Sequence, residues 1–246
     1  HNDARRQRQM CIRDSAYAAR DKFIADLDYT NRISHMLASE TALNIADKIN
    51  TKKAIKSLST ISEAIHKDTV YITVVDKDRM AVSLIYSIFH SFGSGIASNK
   101  YGILFQNRGA GFTLEQDHPN ELAGGKRPMH TIIPGMLAER GRVTMPFGVM
   151  GGGYQPKGHA RLLSNMLDFD LNIQEAIDGP RSFYENGVLN LERGYVSNVR
   201  QQLVEMGHKV QIPRGPIGGA QAIMIGENGV LTGASDPRKD GCALGY

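Results

Sequence analysis

The sequence has 246 residues, 41% hydrophobic and 22% charged, which gives enough apolar mass for one large domain or two small ones and excludes a disordered or fibrous chain. The net charge is +4, and Arg5, Arg6, Arg8 and Arg13 against Asp3 and Asp14 supply +2 of it in the first 15 residues, so the remainder has no clustered basic face for nucleic acid. Cys11 and Cys242 make neither a disulfide framework nor a zinc site of the usual ligand count, and no apolar run reaches the ~18 residues of a membrane span.

Residues 1–15 show no period of 2 or 3.6 and no hydrophobic face, so they read as a non-native head outside the fold, with an upstream portion of the protein missing. A basic start without a following apolar stretch is no secretory signal, and cytoplasmic and exported locations are both compatible with it. Residues 16–65 read as helical. Ala16, Ala19, Phe23 and Ile24 recur at helical spacing, as do Ala42, Ile45, Ala46 and Ile49 within Ser39–Asn50, where Ser39 makes half a capping box. Asp26–Asn31 is a polar connection, and the Lys- and Ser-rich run Thr51–Ser62 reads as exposed and mobile.

The pattern changes at Asp68. Thr69–Asp76 is dense in β-branched and aromatic residues and predicts a strand. Lys77–Met80 predicts a turn, and Ala81–Phe89 a second strand, apolar on both faces, in a hairpin covered on both sides. A short strand follows at Ile103–Asn107 and a loop over Glu115–Pro128. Thr131–Leu137 and Arg142–Val149 read as further strands. Gly151, Gly152 and Gly153 precede a helix over His159–Leu167, and a shorter one at Ile173–Ile177 ends at Gly179 and Pro180. Val188–Leu191 is a strand, Val196–Met206 a helix stopped by Gly207, and Val210–Ile212, Ala220–Ile225 and Val230–Thr232 are strands, the last two joined by the turn Glu227-Asn228-Gly229. The order implies an α/β-layered architecture with mainly antiparallel sheets.

Three constellations could carry chemistry. Glycines at the strand-to-helix junction Gly151–His159 expose backbone N–H groups suited to an oxyanion, or simply make a tight turn. Gly153 and Gly158 have phosphate-loop spacing, but His159 and Ala160 stand where the lysine and hydroxyl belong, so nucleotide binding is excluded. Ser94 in Phe-Gly-Ser-Gly lacks the nucleophile-elbow pattern, and the eight histidines form no helical His-x-x-x-His pair, so they read as surface or structural residues and no metal is implied. Thr69 opens a strand after a polar segment, ordinarily an unremarked strand residue. Asp236, Arg238 and Asp240 read as a turn tied by local ion pairs, and His208-Lys209 as an ordinary helix end.

Asp68–Ile96 resembles the start of the small subunit of gamma-glutamyltranspeptidases. So, in order, do Tyr101–Phe112, Gly125–Met136, the triple glycine at Gly151 and Ser235–Gly241. Several separated motifs in the right order are more specific than any one of them. The resemblance implies the four-layer αββα N-terminal-nucleophile hydrolase sandwich, incomplete at its N-terminal side. Residues 16–68 would be the tail of the large subunit and 69–246 the small, catalytic subunit.

The resemblance implies a chain that cuts itself between Asp68 and Thr69, after which the freed Thr69 is the nucleophile. A Thr hydroxyl is weak at neutral pH, and the new α-amine, with a pKa of about 8, is a base on the same residue. The resemblance carries Gly151 and Gly152 over as the oxyanion pair, Ser87 as the hydroxyl that bonds the nucleophile, and Asn107 as a residue near the substrate. Arg108 stands where the family has Gln or Glu, Gly111 where it has Asp, Phe89 where it has Asn, and His130-Thr131 where it has Ser-Ser. These departures lie in the acyl-recognition set, with Arg108, His130 and Thr131 as its members here. They resemble the family's acylase-like branch, in which the acyl group has a carboxylate and no ammonium. The implied activity is transfer or hydrolysis of a gamma-glutamyl-type acyl group from a small-molecule amide, without metal or organic cofactor and with the chain's own large subunit as partner. A glutaryl- or cephalosporin-type acylase is one alternative, and a non-catalytic binding protein that does not self-process is another.

Overall fold

The computed structural model describes residues 16–50, 52–54 and 69–246. The predicted head, Cys11, the cleavage residue Asp68 and most of the Thr51–Ser62 run lie outside the described residues. The chain divides into two compact units. The first comprises His1–Glu63, Arg108–His130 and Ser182–Pro213; the second comprises Ala64–Asn107, Thr131–Arg181 and Arg214–Tyr246.

In the first unit, the amphipathic patterns give three helices: α1 over 16–23, α2 Ile33–Leu37 and α3 Ser39–Asp47, with a 3₁₀ turn at Leu27–Tyr29 inside the predicted polar connection. Ser39 is the first residue of α3 and makes no side-chain cap. A small sheet of β5 Ser182–Glu185, β6 Val188–Leu191 and β7 Val210–Gln211 pairs antiparallel and then parallel, and α6 Ser197–Glu205 returns the chain between β6 and β7. Leu189, Leu191, Tyr195, Val199 and Leu203 form its core. β5 escapes the sequence reading, which assigns no element between Pro180 and Val188.

The second unit explains itself through β4, Arg142–Met150, whose residues from Met145 to Met150 are all buried. A strand buried on both faces is a middle layer. The side chains of Phe147 and Val149 meet helix α4, Gln155–Leu167: Phe147 packs on His159 at 4.9 Å between rings, and a Cβ at Gly158 would lie 2.4 Å from Val149. Gly148 and Met150 point the other way, onto Tyr71 of strand β1. The layers are therefore helices α4 and α5 (Ile173–Asp178), then a four-stranded sheet, then the hairpin of β1 Thr69–Val75 and β2 Ala81–Ser87. The four-stranded sheet is wholly antiparallel in the order β3 (Gly135–Glu139), β4, β8 (Gly219–Ile225), β9 (Leu231–Ser235).

The hairpin follows the sequence closely. Thr69 pairs with Ser87 and Val75 with Ala81, and Asp76 Oδ1 closes the turn by accepting from Asp78 N and Met80 N. Its coverage departs from expectation. The face carrying Val70, Ile72 and Val74 on β1 and Val82, Leu84 and Tyr86 on β2 is 45–65% exposed, although its residues are paired across the strands and all apolar. In the described chain one side of this hairpin is covered and the other is not.

Two strand predictions shorten. Ile103–Asn107 reduces to one bridge between Ala97 and Leu104, and β3 starts at Gly135, leaving 131–134 outside the ladder. β3 and β4 join through Arg140 and Gly141, both at positive φ, the signature of a two-residue hairpin turn. The turn between β8 and β9 lies at Glu227-Asn228-Gly229 as predicted.

Candidate active site

Thr69 is half-buried at the start of β1. Its Oγ1 donates to Ser87 Oγ at 3.2 Å, a cross-strand contact fixed by the β1–β2 register. Ser87 Oγ also accepts from Phe89 N at 3.1 Å. Phe89 is buried with φ +79, a conformation that a bulky residue adopts only where its surroundings impose it. Its ring stacks on His90 at 4.6 Å. Asn107 grips the same turn, with Oδ1 accepting from His90 N at 3.0 Å and Nδ2 lying 2.7 Å from His90 Nδ1. Donation by that amide makes Nδ1 an acceptor and places the ring proton on Nε2. His90 is a site-supporting residue that sequence reasoning passed over as one scattered histidine among eight.

Gly151 follows β4 directly. Its φ of +121 and the φ of +56 at Gly152 turn the chain out of the strand into a 3₁₀ turn, Gly152–Tyr154, ahead of α4. Side chains rarely adopt such angles, and a Cβ at Gly151 would also lie 3.0 Å from Gly218 Cα. Gly218, at φ +65, is equally confined, since its own Cβ would lie 2.4 Å from Met150 O. The two glycine backbones thus lock together at the candidate oxyanion loop.

The Gly218 side of that lock is anchored from afar. Arg181 donates to Ile217 O at 2.9 Å and pairs with Asp236, which is fully buried and accepts from Ala220 N at 2.7 Å and Arg238 N at 3.0 Å. Arg238 in turn donates to the Ile177, Asp178 and Gly179 carbonyls at the end of α5. The predicted turn is present, with Lys239 N donating to Asp236 O and Arg238 paired to Asp236 at 3.2 Å, and Asp236 also joins it to a buried network reaching across the chain. The sequence reading missed it because Arg181, 4% exposed, lies far away in sequence.

Beneath these elements Tyr71, Ile85 and Met150 form a compact apolar cluster, with Ile132 packed against it. Each member is a near chain neighbour of a candidate residue: Tyr71 of Thr69, Ile85 of Ser87, Met150 of Gly151 and Ile132 of Thr131. One cluster thus gathers four candidate residues onto the second unit. Thr131 itself is buried.

Arg108 and His130 belong to the first unit. Arg108 begins a 3₁₀ turn, Arg108–Gly111, and is 9% exposed, with burial holding its pKa below the usual arginine value. Burial first, and then the Arg108 charge, lowers the His130 pKa and favours a neutral imidazole. Asn120 ties their two segments together: Nδ2 donates to Gly111 O at 2.6 Å, and Oδ1 accepts from Met129 N at 2.9 Å. It lies in a stretch whose polarity reads only as a loop. Among the described residues no group of three or more His, Cys, Asp or Glu could hold a metal ion, and no helix is long and apolar enough to cross a membrane.

The comparisons bear on this arrangement. The chain is 32% identical over 240 residues to the glutathione hydrolase-like YwrD proenzyme of Bacillus subtilis, and 35% identical over 241 residues to the oxamate amidohydrolase proenzyme of Klebsiella pneumoniae. Each match covers 94% of this chain and 45% of the relative, so the chain spans about half the length of the curated relatives it matches. Among solved structures, a cephalosporin acylase from Bacillus halodurans superposes with a TM-score of 0.87 at 33% identity, covering 97% of this chain and 45% of that one. A gamma-glutamyltranspeptidase from Pseudomonas nitroreducens complexed with L-DON superposes at 0.67 and 25% identity, covering 72% of this chain and 98% of that one. These likenesses make the fold that of the N-terminal-nucleophile hydrolases, and the helix, sheet and hairpin layers of the second unit are its described part. The gamma-glutamyltranspeptidase family model spans residues 4–246, through every motif that carried the resemblance, and the chain belongs to that family.

Proposed function

We propose that this chain is the C-terminal part of an acyl-transferring amidohydrolase that cuts itself between Asp68 and Thr69 and then acts through Thr69. The observation that carries the reading is the Thr69 Oγ1–Ser87 Oγ hydrogen bond at the first residue of β1. A hydroxyl in contact with a second hydroxyl at the start of an element supports the reading, because a cut before Thr69 would give it an α-amine base. Thr69 Oγ1 attacks the amide carbonyl while its proton passes to the α-amine; the C–N bond then breaks, that proton goes to the departing amine, and the acyl group stays on Thr69 as an ester. The N–H groups of Gly151 and Gly152 take the oxyanion, a contribution of about 3 kcal/mol per donor in comparable sites. Water or an amine then releases the acyl group. The Pseudomonas nitroreducens chain lends support: 72% of this chain covers nearly all of it, about the share that runs from Thr69 onward.

The test is intact mass and N-terminal sequencing of the purified full-length protein beside Thr69→Ala. A fragment beginning at Thr69, absent from the variant, is the expected outcome. An uncut wild type would favour a binding protein that keeps the fold.

A second reading concerns the acyl group. Arg108 stands at a position of the family's acyl-recognition set, where a guanidinium would repel an α-ammonium and suit a carboxylate, which favours a glutaryl- or other carboxy-acyl amide over a gamma-glutamyl one. Relatives named as acylases and as an oxamate amidohydrolase fit this direction. Glutaryl anilides are expected to turn over faster than gamma-glutamyl anilides, and the reverse preference would reject the carboxy-acyl reading.

A further inference from the structure

The ladder between β3 and β4 ends at the pair Gly135–Phe147. Two residues further along each strand, Ile133 and Val149 would face each other next in that register. Their backbone N–H groups instead meet side chains of α4: Ile133 N donates to Gln155 Oε1 and Val149 N to His159 Nε2, each at 3.2 Å. Gln155 and His159 are four residues apart and so lie on one helix face. Gly158 lets that face sit directly on Val149, and the Phe147 ring lies both over Gly135 and against His159. Gln155 is 1% exposed. A buried amide left without an acceptor is costly, so these two side chains replace the ladder as the partners that hold the strands in place.

Beyond this wedge of Gln155 and His159 between the two segments, each segment leads to a different candidate residue. Ile133 leads back through Ile132, packed on the apolar cluster, to Thr131. Val149 leads through Met150 to Gly151 and its turn. We propose that Gln155 and His159 are a pair of positioning residues that hold β3 and β4 apart at the site. Gln155 sets the segment bearing the substrate-binding Thr131, and His159 sets the strand end bearing the oxyanion glycines. The proposal rests on the Thr69 reading and adds a division of labour to it. Disturbing His159 acts on transition-state stabilisation, and disturbing Gln155 acts on substrate recognition.

The test uses the full-length protein carrying His159→Leu, Gln155→Leu, His159→Gln or Asn165→Leu. The last removes a comparable buried side-chain donor, Asn165 Nδ2 to Ala176 O at 3.0 Å, from the other end of the same helix. Release of the Thr69 fragment is followed by mass, kcat and KM by anilide hydrolysis, and Tm by calorimetry. His159→Leu is expected to slow self-cleavage and lower kcat by roughly tenfold or more with little change in KM. Gln155→Leu is expected to act mainly by raising KM. His159→Gln, whose Oε1 keeps an acceptor near the Nε2 position, is expected to restore kcat to within a few-fold, and Asn165→Leu to lower Tm while leaving kcat and KM near wild type. If His159→Leu does not accumulate, His159→Asn, too short to reach Val149 N, replaces it. The proposal is overturned if the wedge variants lose no more activity than Asn165→Leu at equal loss of Tm, if His159→Gln gives no rescue, or if the two sites change kcat and KM alike. A wild type that stays uncut defeats the Thr69 reading, and the proposal with it. A cutting wild type with His159→Leu cutting at its rate defeats the proposal alone.

Discussion

At position 69 a hydroxyl, an acceptor across the strand and the first residue of an element coincide, and none of the three is informative alone. Only the order of several motifs singled out this threonine, because a bare Thr before a run of Val and Ile is what strands ordinarily contain. His159 shows the opposite failure. It reads as a surface or structural histidine because no second histidine lies at helical spacing, yet its partner is a backbone amide ten residues away on β4. Burial lowers its pKa from 6.5 to about 4, so the native state holds it neutral while the unfolded chain binds the proton first. The sign follows: stability is fully present above about 6.5, falls as the pH drops toward about 4, and levels off below. The ceiling is roughly 3 kcal/mol. Melting temperatures of wild type and His159→Gln measured from pH 7 to pH 4 are expected to converge on acidification, because glutamine does not titrate. A constant gap would remove His159 from the acid response.

Elements with a clean period were legible in the sequence, and elements shaped by side-chain contacts across space were not. β1, β2, β6 and α6 lie close to where alternation or helical spacing puts them. The sequence pattern starts β3 at Thr131, but the strand begins at Gly135 because α4 supplies the acceptor that a strand partner would otherwise give to Ile133. α4 itself starts at Gln155, ahead of the predicted His159, since Pro156 is tolerated in a first helical turn. Helix α5 is short but carries a complete capping box, with Asn172 Oδ1 accepting from Glu175 N at 3.0 Å and Glu175 Oε2 accepting from Asn172 N at 3.1 Å. Ser39, which has half of such a signature in the sequence, makes no side-chain cap, whereas Asn172 and Glu175 make the whole box. Asn172→Ala is expected to cost about 1 kcal/mol in urea unfolding of the full-length protein, with processing at Thr69 unchanged. A loss under about 0.3 kcal/mol would show the cap to be redundant with the Arg238 contacts at the other end of α5.

For the whole molecule, the open apolar face of the β1–β2 hairpin is the main departure from a self-sufficient fold. Six cross-strand-paired apolar side chains facing water form a patch that proteins ordinarily cover. On the proposed reading the large subunit covers it, as the fourth layer of the sandwich. Expressed without upstream sequence, residues 69–246 are therefore expected to self-associate, and Ile72→Lys with Leu84→Lys to shift them toward monomer in sedimentation velocity. The same pair in the full-length protein is expected to impair folding. Soluble, active full-length protein with both lysines would show that this face is not an internal interface. The apolarity of the hairpin is legible in the sequence and its coverage is not, because a strand's composition registers the need for a neighbour and not its presence.

The buried tie from Asp236 to Arg181, Ile217 and Ala220 also sets a clock. A ribosome makes the Asp68–Thr69 bond long before it makes Asp236, and Asp236, through Ala220 N and through Arg181 on Ile217 O, ties the chain on both sides of the Gly218 that packs against Gly151. On the proposed reading a nascent chain therefore passes through synthesis uncut, and maturation starts only when the far end of the sequence has emerged.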